Sequence, residues 1–121
     1  MKWLLRLALL LFPTFAWAGM CGGVPCVGPI KNSFCALTSI SSATKLTSCT
    51  NGIPATANFA YITAGTASVN WTDDGTAPTT SGSGGQLLSA GSAMWYAVGE
   101  NALNQIQFIS AKGFITVSFY R

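Results

Sequence analysis

The feature that most constrains the fold of this chain is a series of short β-permissive segments separated by turn residues. In residues 68–72, Val69 and Trp71 alternate with polar residues, which places the two apolar side chains on one face of a strand. No window after residue 18 keeps a helical apolar period over three turns. We therefore predict an all-β fold, a single antiparallel β-sandwich or barrel-like roll of about seven to eight short strands. The other candidate strands are residues 34–40, 43–48, 59–63, 86–88, 93–98, 104–109 and 114–120.

The start of the chain has the composition of a secretory signal peptide. Lys2 and Arg6 supply positive charge, residues 7–12 form a short apolar run, and residues 16–18 form an Ala-x-Ala cleavage site. A membrane-spanning helix needs about 20 apolar residues, so this run is too short to span a bilayer. We expect export to the periplasm or the extracellular medium, cleavage before Gly19, and no stable membrane span afterwards.

An 18-residue leader leaves 103 of the 121 residues, which is enough for one small domain. We divide the chain into a signal peptide (residues 1–18), a Cys-rich N-terminal segment with the first strands (residues 19–52), and a sandwich core (residues 53–121) that forms one domain with those strands.

The mature chain has four basic and three acidic residues, a formal charge of +1, which is too small to attract nucleic acid. Such a neutral surface favours homo-oligomers or packing against other surface proteins.

Four cysteines lie in the N-terminal segment, and an even number in an exported protein predicts two disulfides. Sequence does not choose among the three possible pairings. A zinc site is disfavoured because the chain has no C-x-x-C pair and no His. A lipid anchor at Cys21 is disfavoured because the large Met20 precedes it. The cysteines are Cys21, Cys26, Cys35 and Cys49.

Adjacent acidic residues, Asp73 and Asp74, precede Gly75. We interpret this tract as a turn in which a carboxylate accepts a backbone N–H bond and glycine supplies a positive φ. A calcium corner is the alternative, but neighbouring strand residues point to opposite faces, which keeps the two carboxylates apart. A glycosidase pair with Glu100 has no support in the spacing. With no His to serve as a base, we expect no enzyme, and we expect no metal or cofactor.

Aromatic residues recur along the predicted strands. These aromatic side chains either form an exposed binding face or pack in the core, because strands favour aromatic residues and their rings are suited to both environments. Because Trp95 and Tyr96 are adjacent, they must point to opposite faces, and one of them is expected to face outward. The aromatic residues considered are Tyr61, Trp71, Trp95, Tyr96, Phe108 and Tyr120. The candidate binding surface comprises Trp71, Asp73, Asp74, Trp95 and Tyr96.

Residues 53–120 carry a series of motifs: IPA at 53–55, FAYI at 59–62, VNWTDDGTAPT at 69–79, QLLSAG at 86–91, and the closing strand ITVSFY at 115–120. This series resembles a group of small β-sandwich proteins encoded by tailed bacteriophages and prophages. The chain differs from that group in its signal peptide and its Cys-rich front. The resemblance implies a non-catalytic, virion-associated structural or accessory protein that packs against like copies or surface partners. A secreted β-sandwich module that binds a glycan or a cell-surface ligand is the alternative function.

Overall fold

The structure is a computed structural model that describes residues 20–21, 24–25, 27–81, 83–97 and 100–121. The predicted signal peptide and its cleavage site lie outside these residues. Within the described part, ten strands occur with one four-residue helix, α1, and one 3-10 turn. The strands are β1 (Met20–Cys21), β2 (Val24–Pro25), β3 (Cys35–Leu37), β4 (Thr44–Lys45), β5 (Phe59–Ala64), β6 (Val69–Thr72), β7 (Gln86–Leu88), β8 (Ala93–Ala97), β9 (Gln107–Ile109) and β10 (Ile115–Tyr120). The 3-10 turn is Leu46–Ser48, and α1 is Glu100–Leu103.

Two antiparallel four-stranded sheets form the body of the fold. The first sheet has the strand order β3-β10-β5-β8, and the second sheet has the order β4-β9-β6-β7. A separate pair joins β1 to β2. Since β10 pairs with β3 and β5, and β9 pairs with β4 and β6, the chain crosses repeatedly between the two sheets. The all-β prediction is confirmed in its sandwich form; the two sheets stay separate and do not close into a barrel.

The core lies between the two sheets and follows the period-two alternation of their strands. In β5 and β10 every second residue is buried, and in β6 Val69 and Trp71 are the buried pair, as their alternation predicts. No buried side-chain polar atom in the described residues lacks a hydrogen-bond partner. The largest fully buried side chains are Ile40, Leu46, Ile62, Val69, Leu103, Ile106, Phe108, Ile115, Val117 and Phe119.

Three predicted strands are shorter in the structure than the sequence suggests. Residues 34–40 contribute only Cys35–Leu37, and residues 43–48 give a two-residue strand followed by the 3-10 turn. The segment 104–109 becomes extended only at Gln107. Leu103 and Ile106 are both fully buried. A helical turn places residues three apart on the same side, so a turn over 103–106 lets both side chains reach the core before the strand begins.

Cys35 and Cys49 form a disulfide with a Cα–Cα distance of 5.6 Å. It ties β3 to the residue that follows the 3-10 turn, and so joins an edge of the first sheet to the chain leaving the second. This bond excludes two of the three possible pairings. A second disulfide would therefore join Cys21 to Cys26; Cys26 lies outside the described residues, and that bond stays a prediction.

In the described ranges, no helix has the length and apolar character needed to cross a bilayer.

Candidate functional site: the outer aromatic face

Four aromatic side chains gather on the side of the first sheet that faces away from the core. Phe59 and Tyr61 alternate with the buried Ala60 and Ile62 of β5, so both point outward. Tyr61 lies directly opposite Trp95 on β8, and Phe59 lies directly opposite Tyr120 on β10. We call this surface, made by Phe59, Tyr61, Trp95 and Tyr120, the outer aromatic face.

Three of these rings are in mutual contact. The ring centroid of Trp95 lies 4.8 Å from that of Tyr61 and 4.8 Å from that of Tyr120, with tilts of 48° and 58°. Strands β8 and β10 are separated by β5, which puts their backbones about 9.6 Å apart. The rings of Trp95 and Tyr120 therefore lean toward each other across β5. This tilted packing is favourable for aromatic quadrupoles, and it holds the indole in place while 55% of Trp95 stays exposed.

A groove of about 500 Å³ lies beside the rings, lined by Val27, Phe59, Trp95 and Tyr120. Val27 is held there by the backbone that follows it. Gly28 and Arg121 exchange two backbone hydrogen bonds of 2.9 and 3.0 Å, and Pro29 forms a β-bridge with Tyr120. The groove is thus bounded on one side by the segment that precedes β3, and its lining is almost entirely apolar.

The outward side chains of this sheet carry no formal charge at neutral pH. Hydroxyl and methyl groups surround the four aromatic rings, so the surface suits a neutral partner and does not attract an ionic one. The flanking outward residues on the four strands are Ala36, Thr63, Ala93, Thr116 and Ser118.

A second cluster lies at one end of the sandwich, between the sheets. Trp71, only 8% exposed, meets the ring of Tyr96 edge to face at a centroid distance of 5.8 Å. The hydroxyl of Tyr96 donates a 2.8 Å hydrogen bond to Oδ2 of Asp73. Partial burial, the hydrogen bond to Asp73 and its negative charge raise the pKa of Tyr96 to about 12. This cluster joins the two sheets and offers little accessible aromatic surface.

The Asp-Asp-Gly tract forms the turn that its sequence predicts. Oδ1 of Asp74 accepts hydrogen bonds from the backbone N–H and the hydroxyl of Thr76, at 2.9 and 2.6 Å. The side-chain hydrogen bond of Thr76, and then its backbone bond, lower the pKa of Asp74 below its ordinary value. Gly75 has a φ of +84°, and Gln107 Nε2 donates to its carbonyl at 2.7 Å.

Among the described residues, no group of three or more His, Cys, Asp or Glu is arranged to hold a metal ion.

Four of the five residues of the predicted binding surface, Trp71, Asp73, Asp74 and Tyr96, lie together at one end of the sandwich, and Trp95 lies apart on the outer aromatic face. Trp95 faces outward and Tyr96 inward, which confirms that the two point to opposite faces. Phe108, another candidate, is fully buried. Phe59 was not among the residues of the predicted binding surface. It lies two residues before Tyr61 in the same strand, so the two side chains point to the same side, and that spacing could have identified it. The neighbours of Trp95 on the outer face come from β5 and β10, and that pairing has no local signal.

A second depression, of about 370 Å³, lies on the outside of the second sheet. Asn70, Leu87, Ile109 and Lys112 line it together with small residues, and no aromatic ring is among them. Asn70 Nδ2 donates a 2.7 Å hydrogen bond to the carbonyl of Thr79, so the polar group at its centre is already engaged. The outer aromatic face is the stronger candidate for a binding surface.

Comparison of the chain with protein-family models, curated proteins and solved structures finds no match.

Proposed function

We propose that this protein is a non-catalytic, exported structural or virion-associated accessory module that packs against like copies or other surface proteins. The observation that carries the proposal is the outer aromatic face, where the indole of Trp95 is 55% exposed beside two phenol rings and no charged side chain projects. Exposed apolar patches bordered by polar residues are typical of interaction surfaces. The Cys35–Cys49 disulfide is compatible with an oxidising compartment.

The resemblance of residues 53–120 to phage and prophage β-sandwich proteins supports virion association. The absence of His from the chain supports a non-catalytic role, since the commonest general base is missing. The carboxylates of Asp73 and Asp74 both accept hydrogen bonds from neighbouring residues. Those bonds give each carboxylate a structural role.

The size of the outer aromatic face favours assembly through many copies. Three strands, each about 4.8 Å wide and about six residues long, give a surface of about 300 Å². A stable interface buries about 800 Å² per partner. One such contact is therefore weak alone, and it becomes effective when repeated contacts add their affinities in a lattice or on a particle.

Solution mass tests this proposal. The oxidised protein recovered from an exporting host is analysed by light scattering and sedimentation velocity over a wide concentration range. We expect concentration-dependent species larger than a dimer, which are lost in the double variant Tyr61→Ser/Tyr120→Ser. Leu87→Ser is the matched control, because Leu87 is 66% exposed on the second sheet. An identical mass distribution in the parent and the double variant contradicts the proposal.

A glycan-binding module is the second candidate, favoured by the hydroxyls of Thr63, Thr116 and Ser118 around the rings. A pyranose has an apolar C–H face that stacks on aromatic rings and a rim of hydroxyls that seeks hydrogen bonds. Tryptophan fluorescence titrated with neutral oligosaccharides tests this, since Trp95 is the exposed indole of the described residues and Trp71 is buried. A saturable shift that disappears in Trp95→Phe supports binding. A flat titration across envelope and plant oligosaccharides contradicts it.

A further inference from the structure

The two sheets have four edge strands within the described residues, and one differs from the other three. Strands β3, β4 and β7 are three, two and three residues long, and β4 carries Lys45. Natural proteins keep exposed edges short or charged because an open edge recruits another strand. Strand β8 has five residues, Ala-Met-Trp-Tyr-Ala, with no charge and no proline. It pairs with β5 on one side and with no described strand on the other.

The backbone groups that β8 turns to its open side follow from its register. The N–H of Ala64 donates to the carbonyl of Ser92 at 2.9 Å, so the residues of β8 that face β5 are the even-numbered ones. By alternation, Ala93, Trp95 and Ala97 direct their N–H and C=O groups away from β5. These groups form a row of donors and acceptors along the open edge, in the alternating close and wide spacing of an antiparallel strand.

The side chain of Trp95 does not cover this row. Its ring leans across β5 to meet Tyr120 at a centroid distance of 4.8 Å, which carries it away from the edge. The flanking Ala93 has only a methyl group to place beside an incoming strand. As far as the described residues go, no strand pairs with this edge, and its backbone groups are open to pairing.

We propose that β8 pairs with β8 of a second copy, antiparallel about a two-fold axis through Trp95. In antiparallel self-pairing about Trp95, Ala93 meets Ala97, Met94 meets Tyr96, and Trp95 meets Trp95. Trp95 then exchanges two N–H···O bonds with its counterpart, because its backbone groups face the open side. A symmetric pair of identical surfaces forms a closed dimer.

The residues of β8 are suited to pairing with a second copy. No charged side chain lies in the strand, so two copies meet without like-charge repulsion. The pairing produces one continuous eight-stranded sheet, β3-β10-β5-β8 followed by the same strands in reverse order. The two outer aromatic faces then lie side by side, doubling the aromatic surface. This edge pairing is independent of what the outer aromatic face contacts.

A proline substitution separates the edge from the rest of the fold. Ala93→Pro removes one N–H on the open side and leaves the bonds to β5, since proline is tolerated on edge strands where its N–H faces solvent. Trp95→Lys places two like charges opposite each other at the two-fold axis. Leu87→Lys, on the edge strand of the second sheet, and Phe59→Ser, on the face but not the edge, are the controls.

Light scattering and sedimentation equilibrium on the oxidised protein give the dimer dissociation constant. We expect the parent and both controls to form a dimer as their smallest associated species, and Ala93→Pro and Trp95→Lys to raise its dissociation constant by about tenfold or more. A monomeric parent throughout the concentration range, or an Ala93→Pro variant that dimerises like the parent, overturns the proposal. Loss of the dimer in Phe59→Ser but not in Ala93→Pro assigns dimerisation to the face and overturns it too.

Hydrogen exchange of the parent tests the pairing without any substitution. The amide of Trp95 faces the open edge, so in a monomer it exchanges with solvent. In the proposed dimer it is bonded and protected, and its exchange slows as the protein concentration rises. Equally fast exchange of the Trp95 amide at low and high concentration overturns the proposal even if a variant fails to fold.

Discussion

The hydroxyl of Tyr96 donates a 2.8 Å hydrogen bond to Oδ2 of Asp73, and so joins β8 of the first sheet to the turn that follows β6 of the second. The other contacts between the sheets are mainly apolar and have no fixed direction. A directional bond at the end of the sandwich fixes how the sheets lie relative to each other. Tyr96 is available for this bond because alternation along β8 turns it toward the core side and Trp95 toward the outer face.

Tyr96→Phe removes this bond while keeping the ring that packs against Trp71. We expect the free energy of unfolding to fall by about 1 kcal/mol, because a hydrogen bond to a carboxylate at a partly exposed site has a modest net value. Urea denaturation of the parent and the variant gives the difference. Asp73→Asn is the companion variant, since its amide oxygen still accepts the bond, and it should cost less. An unchanged unfolding midpoint in Tyr96→Phe contradicts the prediction.

Alkaline pH should weaken the same contact. The pKa of Tyr96 rises from an ordinary value of 10.0 to about 12, so the folded state holds the phenolic proton longer than the unfolded chain does. The stabilisation is complete below pH 10 and is lost as the pH rises from 10 toward 12. Subtracting the phenolate absorbance titration of Tyr96→Phe from that of the parent isolates Tyr96. A midpoint near 12 agrees with the structure, and one near 10 does not.

Gly65 packs closely against Phe114 where the chain leaves β5. A Cβ at this position would overlap one edge of the Phe114 ring, and the two backbones are held together by a 2.9 Å bond from the N–H of Gly65 to the carbonyl of Phe114. Gly65→Ala would gain about 0.4–1 kcal/mol from reduced unfolded-state entropy if the site were open. The steric conflict costs about 1–3 kcal/mol, so we expect net destabilisation.

A double-mutant cycle identifies the cause of that loss. Gly65→Ala should be less harmful in a Phe114→Ala background, because the ring that blocks the Cβ is gone. Gly91→Ala is not a suitable control because Gly91 has a φ of +71°. Gly28→Ala is suitable, since an added Cβ there meets nothing within 4 Å. Additive effects of Gly65→Ala and Phe114→Ala would contradict a direct clash.

Local pattern predicted much of this fold, and long-range pairing accounts for the remainder. The alternation in residues 69–72 gave the buried faces of Val69 and Trp71, and the Asp-Asp-Gly tract gave the turn. These features depend on neighbours within a few residues. The outer aromatic face depends on β5 lying between β8 and β10. Phe59 of β5 and Tyr120 of β10, which lie opposite each other, are 61 residues apart in the sequence. No local period encodes which strands are neighbours.

Acid should weaken the turn at Asp74. Its two bonds from Thr76 lower its pKa below the ordinary 3.8, so the folded state favours the carboxylate. The stabilisation is present above pH 3.8 and is lost as the pH falls through the lowered pKa. A carboxyl NMR titration should give a midpoint below 3.8, and Thr76→Val should move it upward because the hydroxyl bond is the largest cause. An unchanged midpoint in Thr76→Val contradicts this assignment.

Removal of the Cys35–Cys49 bond should lower stability more than any of these changes. The bond closes a loop with a sequence separation of 14, and cross-links of that span restrict the unfolded chain by about 3 kcal/mol. Both cysteines are buried, so the double variant Cys35→Ala/Cys49→Ala avoids leaving buried polar atoms behind. We expect its denaturation midpoint to fall well below that of the parent. Peptide mapping of the non-reduced parent should recover the segments containing Cys35 and Cys49 as one linked species. A species linking either of them to Cys21 or Cys26 would contradict the pairing, and equal stability of parent and variant would contradict its contribution.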